Sequence, residues 1–370
     1  MRDTMGIIIA GDKKIPPITD IRSVCALPVA GRYRIIDFVL SNMANAGMVN
    51  IGVATKSKYS SLMDHIKSGK PWDLDRKNQG LNILPPDLER ANGIIKGDID
   101  LLAGVSDFIR RSHQTYVILV LGAGIYNINF KDVVKNHLEN QADITVIYKN
   151  MAGADEKELS RFTLIDIDGD KRVNDIEVKP YYPKTSNASL GIFVMEKALL
   201  ESIIDECSAR GDHDFIKDAV AKKMDGLRIF GYEHKGYADL VDSMKSYYAN
   251  NMMFLNEDIR KEIFSPKSPI YTKTKDQTPT KYGAEADISN SFISDGCVIE
   301  GKVENCILSR GVKVAKGAVI KNSIIMQESV IEEGVVLDHV VFDKEVRVTK
   351  GRKLIGQASY PLAIAKGTIV

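Results

Sequence analysis

The sequence predicts an α/β protein in two parts, a mostly parallel sheet covered by helices on both faces and then a hexapeptide β-helix. Three observations carry that prediction. Short apolar runs alternate with helical stretches from Gly6 to about Leu255. Residues 257–285 then change character, with Pro266, Pro269 and Pro279 set among Lys, Thr and Ser, as in a linker. Beyond the linker, apolar residues recur every six positions.

Taken in order, Gly6–Ala10 is an apolar strand closed by a turn at Gly11. Ile51–Ala54 reads as a strand and Tyr59–Ile66 as a helix. Asp98–Arg111 reads as one helix, capped by Asp98 or Asp100, with Leu101, Leu102, Val105 and Ile109 at helical spacing. Tyr116–Leu121 is a buried strand, Lys131–Glu139 a helix and Ile144–Tyr148 a further strand. In such sheets ligands sit at the carboxyl ends of strands, which is where Gly11 and Gly122 fall. In the C-terminal part, Cys306, Val312, Ala318, Ile324, Val330, Val336, Phe342 and Val348 occupy successive steps of six. A neighbouring frame, Ile307, Val319, Ile325, Ile331 and Leu337, is also apolar. In a hexapeptide β-helix these residues stack inward at each coil. An antiparallel sandwich, the competing arrangement, would show hairpin turns rather than a fixed period.

Composition narrows the function classes. A net charge of +1 with 27% charged residues gives no basic excess for nucleic acid and no acidic tail. No apolar run reaches the length of a membrane span, and Met1–Met5 leads straight into a strand with no signal-peptide core. Cys25, Cys207, Cys297 and Cys306 are scattered without C-x-x-C spacing, so neither a zinc site nor a disulfide framework is expected. The reducing cytoplasm is the expected location.

Gly31-Arg32-Tyr33-Arg34-Ile35-Ile36-Asp37-Phe38-Val39-Leu40-Ser41-Asn42 strongly resembles the G-K-Y-R-I-I-D-F-x-L-S-N of bacterial ADP-glucose pyrophosphorylases (glucose-1-phosphate adenylyltransferases). Other segments follow in family order. Gly69 and Trp72–Arg76 are similar to G-x-W-D-L-D-R, and Ile83-Leu84-Pro85-Pro86 comes next. Val178-Lys179-Pro180 corresponds to E-K-P, Ser189–Val194 to S-x-G-I-Y-x-F, and His213–Asp218 to H-D-F-G-K-D. The resemblance covers essentially the whole chain. It implies a Rossmann-like nucleotidyltransferase domain over 1–256, a linker over 257–285 and a left-handed parallel β-helix over 286–370.

The family joins glucose-1-phosphate to the α-phosphorus of ATP and expels pyrophosphate. That chemistry needs Mg²⁺ on carboxylates together with cationic and backbone donors on the triphosphate. The glycine-rich loop G-G-x-G-T-R-L-x-P-L-T is here Gly11-Asp12-Lys13-Lys14-Ile15-Pro16-Pro17-Ile18-Thr19, two residues shorter and without the arginine. The first metal carboxylate, in S-G-D-H-I-Y, becomes Ala123 in Leu121–Tyr126. The second, in G-Y-W-x-D-V-G-T, aligns with Leu240 in Gly236–Ser243, with Asp239 and Asp242 as neighbours. The lysine of R-x-K-P-A-V-P becomes Val24, and G-T-A-D-A-V becomes Gly97–Leu102, keeping Gly97 and Asp100. The resemblance therefore implies no catalytic residue, with Ala123, Leu240 and Val24 as degenerate positions, and no metal held by this chain.

It further implies that Lys179, Ser189 and Gly191 retain the glucose-1-phosphate side, while Gly11, Gly97 and Asp100 are remnants of the nucleotide side. Arg32 and Arg34 are candidates for effector binding or for structural pairing. Lys13 and Lys14 read as a solvated loop, with partial replacement of the missing arginine on a phosphate as the alternative, and His213 as a turn-stabilising residue. The expectation is a regulatory, catalytically deficient subunit in glycogen biosynthesis, joined to a catalytic homologue in a heterotetramer, with Mg²⁺ used by that partner. Homo-oligomers of the chain alone, and sugar-phosphate effectors or glucose-1-phosphate as ligands, belong to the same expectation. The alternatives are an active adenylyltransferase with metal on Asp239, Asp242 or Asp100, and a stand-alone sugar-phosphate binding protein.

Overall fold

The computed structural model describes residues 1–11, 13–85 and 95–370. Asp12 of the shortened loop and Pro86 of the Ile83–Pro86 segment lie outside the described residues. Among those described, nine strands form one sheet. Gly80–Leu84, Asn50–Thr55, Thr4–Ala10 and Tyr116–Leu121 run parallel side by side. The long strand Asn187–Glu196 then joins antiparallel, flanked by Ile144–Asn150 and Thr163–Ile167. Ile229–Glu233 extends one margin and Val173–Val178 the other. Thr4–Ala10 is buried along its whole length because helices cover both sheet faces, so its run is continuously apolar rather than alternating.

The helix expected over Asp98–Arg111 is two helices, Asp98–Gly104 and Ser106–Arg111. Val105 breaks them with φ −113° and ψ 11°. Spacing predicted the buried positions correctly, since Leu101, Leu102, Val105 and Ile109 all enter the core. A break that leaves apolar phase intact leaves no trace in periodicity. Asp100 makes the cap, accepting from the Gly97 and Lys96 N–H groups.

The segment 257–285 is more than a spacer. It opens with the helix Glu257–Ile263, and Ile263 and Ile270 are buried. Polar side chains hold it onto the helix Ile35–Asn45. Ser41 Oγ accepts from Tyr271 N–H at 2.8 Å, and Asn45 Nδ2 donates to the Pro269 carbonyl at 3.0 Å. Asn127 Nδ2 donates to the Ile263 and Ser268 carbonyls, and Asn42 Oδ1 accepts from Ile128 N–H. Ser41 and Asn42, at the end of the first motif, thus join three segments.

The C-terminal part is a left-handed parallel β-helix with three sheets of five strands. Val303 pairs with Ile320 and Ile320 with Leu337, so these coils are 17 residues long. Three strict hexapeptides would give 18. A step of six therefore slips one residue per coil, and alternating side chains turn that slip into a change of face. Cys306, Val312 and Ala318 point inward, and so do Phe342 and Val348. Val330 and Val336, expected inward, are partly exposed on the outside. Ile324 faces outward too, but is buried against the N-terminal domain with Ile307 and Val341. The three inner stacks run Val303–Ile320–Leu337, Leu308–Ile325–Phe342 and Val314–Ile331–Val348.

One sheet of the β-helix lies on the N-terminal domain through a shared apolar cluster that includes Ile18, Val24, Leu27, Phe38, Tyr247 and Tyr248. Tyr248 Oη donates to the Asn322 carbonyl at 2.6 Å. Arg22 and Asp343 form an ion pair at 2.8 Å across the same seam, exposed only 2% and 1%. All four cysteines are buried and unpaired with one another. Among the described residues no helix is long and apolar enough to cross a membrane.

Candidate functional site

A cavity of about 240 Å³ opens at the carboxyl ends of Thr4–Ala10 and Tyr116–Leu121, where Gly11 and Gly122 line it. Val24, Ala123, Leu240, Lys179, Ser189 and Gly191 line the same cavity. The fold thus gathers the degenerate positions and the expected sugar-phosphate positions around one space. Gly97, Asp100, Arg32, Arg34 and Asp239 are not among the residues that line it.

Ala123 and Leu240 are neighbours. The short strand Gly124–Tyr126 pairs antiparallel with Ala238–Leu240, setting Leu240 opposite Gly124, and Val241 N–H donates to the Ala123 carbonyl at 2.9 Å. A methyl and an isobutyl group offer no oxygen to a cation. On the far wall, Asn187–Glu196 changes register between Ser189 and Ile192, a bulge that aims Ser189 and Gly191 into the cavity. Gly191 has φ +67°, and a Cβ there would stand 2.7 Å from the Leu121 carbonyl oxygen. Ser189 Oγ accepts from Gly191 N–H at 3.2 Å. Lys179 leaves the strand Val173–Val178 at φ +49°, its N–H held by the Phe162 carbonyl.

Three charged cavity residues were not singled out as site residues. Arg161 donates from Nη2 to Asp242 Oδ1 at 3.1 Å and to the Leu240 carbonyl at 3.2 Å. Its Nε reaches Asp242 Oδ2 at 3.4 Å, and Nη2 lies 3.6 Å from Asp239 Oδ1. The pair spans 81 residues of sequence, so nothing local marks it. Asp98 and Asp214 also line the cavity, as does Lys13, which is exposed to solvent as expected while standing at the cavity wall. Lys14 is exposed and absent from the lining.

These charges act on one another. Burial lowers the Lys13 pKa, and Lys179 and Arg161 lower it further. Burial pushes Asp242 up, but Arg161, Ser246 and Lys13 outweigh it and leave the carboxyl below its usual range. Asp239 is raised, chiefly by burial. Asp98 is pushed up to about 6, first by burial and then by the like charge of Asp214. A carboxyl raised in the fold costs stability once it ionises. The cost grows as pH climbs from the unfolded value of 3.8 towards about 6 and is complete above it. Asp98→Asn is therefore expected to stabilise the chain near neutral pH by about 1–3 kcal/mol. The gain should vanish below the unfolded value, in urea unfolding followed at both ends of the range.

The remaining expected positions have other duties. Asp100 Oδ1 meets His213 Nδ1 at 2.9 Å, and Ile99 N–H donates to the His213 carbonyl. A Cβ at Gly97 would collide with that same carbonyl, so only glycine allows the close approach. Asp239 accepts from Asn250 Nδ2 at 2.7 Å and from Leu240 N–H. Arg34 donates to the Ser61 carbonyl and hydroxyl. Arg32 sits at the domain seam, where burial and then Arg32 depress the pKa of Arg310. Arg32 Nε, Arg310 Nε and Nη2, and Ser294 Oγ are buried there without hydrogen-bond partners among the described residues. Burial, then Arg34 and Arg22, push Lys344 down to about 8.

A magnesium ion, implied by the resemblance for the catalysed reaction, does not fit these residues. Ala123 and Leu240 supply no ligand, and Asp242 already carries Arg161. Among the described residues no group of three or more His, Cys, Asp or Glu is placed to hold a metal.

Residues 5–257 match the nucleotidyl transferase family and residues 276–359 the GlmU-like C-terminal hexapeptide family. The chain is 39% identical over 353 residues to the glycogen biosynthesis protein GlgD of Bacillus subtilis (strain 168), covering 95% of this chain and 92% of that protein. It is 32% identical over 326 residues to a glucose-1-phosphate adenylyltransferase of Clostridium perfringens (strain SM101 / Type A), covering 86% and 83%. A glucose-1-phosphate adenylyltransferase of Geobacillus stearothermophilus is 33% identical over 301 residues, covering 80% and 77%.

Proposed function

The chain belongs to the nucleotidyl transferase family, alongside the glycogen biosynthesis protein GlgD and the glucose-1-phosphate adenylyltransferases, and from that premise we propose that it is a regulatory, catalytically deficient subunit of ADP-glucose pyrophosphorylase. One observation carries this reading. Ala123 and Leu240, side by side in the cavity, stand where the reaction needs metal carboxylates, and the nearby Asp242 is occupied by Arg161. Without a metal, the α-phosphorus of ATP has no Lewis acid and the departing pyrophosphate no counter-charge. The Lys179, Ser189 and Gly191 side of the cavity keeps a cation and a bulge suited to a sugar phosphate. In this proposal the subunit acts in the cytoplasm within a hetero-oligomer, a tetramer, whose catalytic member uses Mg²⁺.

Turnover of ATP and glucose-1-phosphate, measured for the chain alone and mixed with a catalytic homologue, tests this. Alone, the rate should fall on the order of 10²–10³ or more below that of the homologue. Mixing should alter the homologue's rate or effector response and its elution volume. Substantial Mg²⁺-dependent turnover by the chain alone would support metal binding through Asp239 or Asp242 and overturn the proposal. No change on mixing would favour a stand-alone sugar-phosphate binding protein.

A further inference from the structure

Resting on the sugar-phosphate reading of the cavity, we propose that Arg161 takes the place of the divalent cation, so that the cavity binds a hexose 1-phosphate without metal. The guanidinium is bonded to the main-chain oxygen of Leu240, the residue at the second lost carboxylate position. It is fixed there by both oxygens of Asp242, with Asp239 at 3.6 Å. Its plane also lies over the Phe162 ring, 5.1 Å from guanidinium carbon to ring centroid. A side chain held at three points has little rotamer freedom left to lose when a ligand arrives.

Nη1 makes no protein hydrogen bond among the described residues, while Arg161 is 27% exposed and lines the cavity with Lys13 and Lys179. The Nε–Nη2 edge of the fork is therefore committed to protein, and Nη1 is left uncommitted on a side chain that lines the cavity. Burial and then the charges of Lys179 and Arg161 depress the pKa of Lys13, as expected for a cation facing other cations without a shared anion. A phosphate dianion would relieve that repulsion. Arg161 and a divalent ion are mutually exclusive in this geometry, because a metal on Asp242 must first expel the guanidinium.

Calorimetric titration of the intact chain with glucose 1-phosphate, in EDTA and in excess Mg²⁺, tests the substitution. The wild-type affinity should agree between the two conditions within about twofold. Arg161→Gln should weaken binding in EDTA on the order of tenfold, since a charge-assisted contact is lost. Mg²⁺ should restore part of that loss in Arg161→Gln alone, because Asp242 is then released from the guanidinium and can meet a cation. A purely structural role for Arg161 would give no such rescue.

Wild-type binding that requires Mg²⁺, or Arg161→Gln binding as tightly as wild type in EDTA, would overturn the inference. The sugar-phosphate reading would still stand in either case. No wild-type binding under either condition would instead remove the sugar-phosphate reading itself and the inference with it. The wild-type comparison needs no variant, so a Mg²⁺ requirement there would overturn the inference even if Arg161→Gln fails to fold.

Discussion

Arg22→Met should destabilise the chain by about 3–5 kcal/mol, because it strands Asp343 as an unpaired charge inside the domain seam. Arg22 donates to Asp343 Oδ1 at 2.8 Å and to the Ile18 carbonyl at 3.2 Å, with both side chains almost fully buried. The second carboxylate oxygen, Asp343 Oδ2, already lacks a hydrogen-bond partner among the described residues. Once the guanidinium is gone, little remains to hold the charge beyond the Lys344 N–H on Oδ1 and the Lys344 ammonium close by. The double variant Arg22→Met/Asp343→Leu should recover most of the loss, since two apolar side chains can replace a buried pair at little cost. Urea unfolding of the two singles and the double closes the cycle. If Arg22→Met lay within experimental error of wild type, the seam would have to admit water to Asp343.

Gly191→Ala should cost about 2–4 kcal/mol and abolish ligand binding in the cavity. Two effects combine at this position. The backbone lies at φ +67°, which L side chains adopt reluctantly, and the new methyl would stand 2.7 Å from the Leu121 carbonyl oxygen. That oxygen belongs to the main chain of a buried strand and cannot rotate away. The bulge would have to move, carrying Ser189 out of its place in the cavity wall. Ser189→Ala provides the contrast, removing one hydrogen bond to Gly191 N–H and costing about 1 kcal/mol. Unfolding and glucose 1-phosphate titration of both variants separate stability from binding. A Gly191→Ala chain with wild-type stability would show that the bulge can open without strain.

Most of the site's outline was legible because each wall comes from a contiguous motif. Val178–Pro180, Ser189–Val194 and Leu121–Tyr126 each carry their own local pattern, and the fold only had to bring them together. Gly97 and Asp100 were legible as unusual residues but not as to purpose. Their partner, His213, lies more than a hundred positions away, and it is contact with that carbonyl that demands glycine. Arg161 was invisible for the same reason. An arginine in Ser160-Arg161-Phe162 carries no sign of Asp242 until the strand Ala238–Leu240 folds beside it.

The hexapeptide region shows the same boundary at smaller scale. The period revealed the β-helix, since any regular apolar repeat near six implies stacked coils. It could not reveal which side chains face inward, because one residue fewer per coil reverses the face while leaving apolar residues in nearly every step. Ile324 is apolar for another reason altogether, being covered by the neighbouring domain.

Sequence by itself determined the two-part architecture, the family resemblance and the absence of carboxylates at 123 and 240, since each is a property of consecutive residues or of a fixed period. Tertiary structure alone decided what fills the resulting space. Whether Asp242 is free for a cation, whether Lys13 stands beside other cations, and whether Asp98 carries a charge near pH 6 all depend on groups brought within a few ångströms across the fold. Coulomb and desolvation energies fall steeply with that distance, and the order of residues along the chain does not specify it.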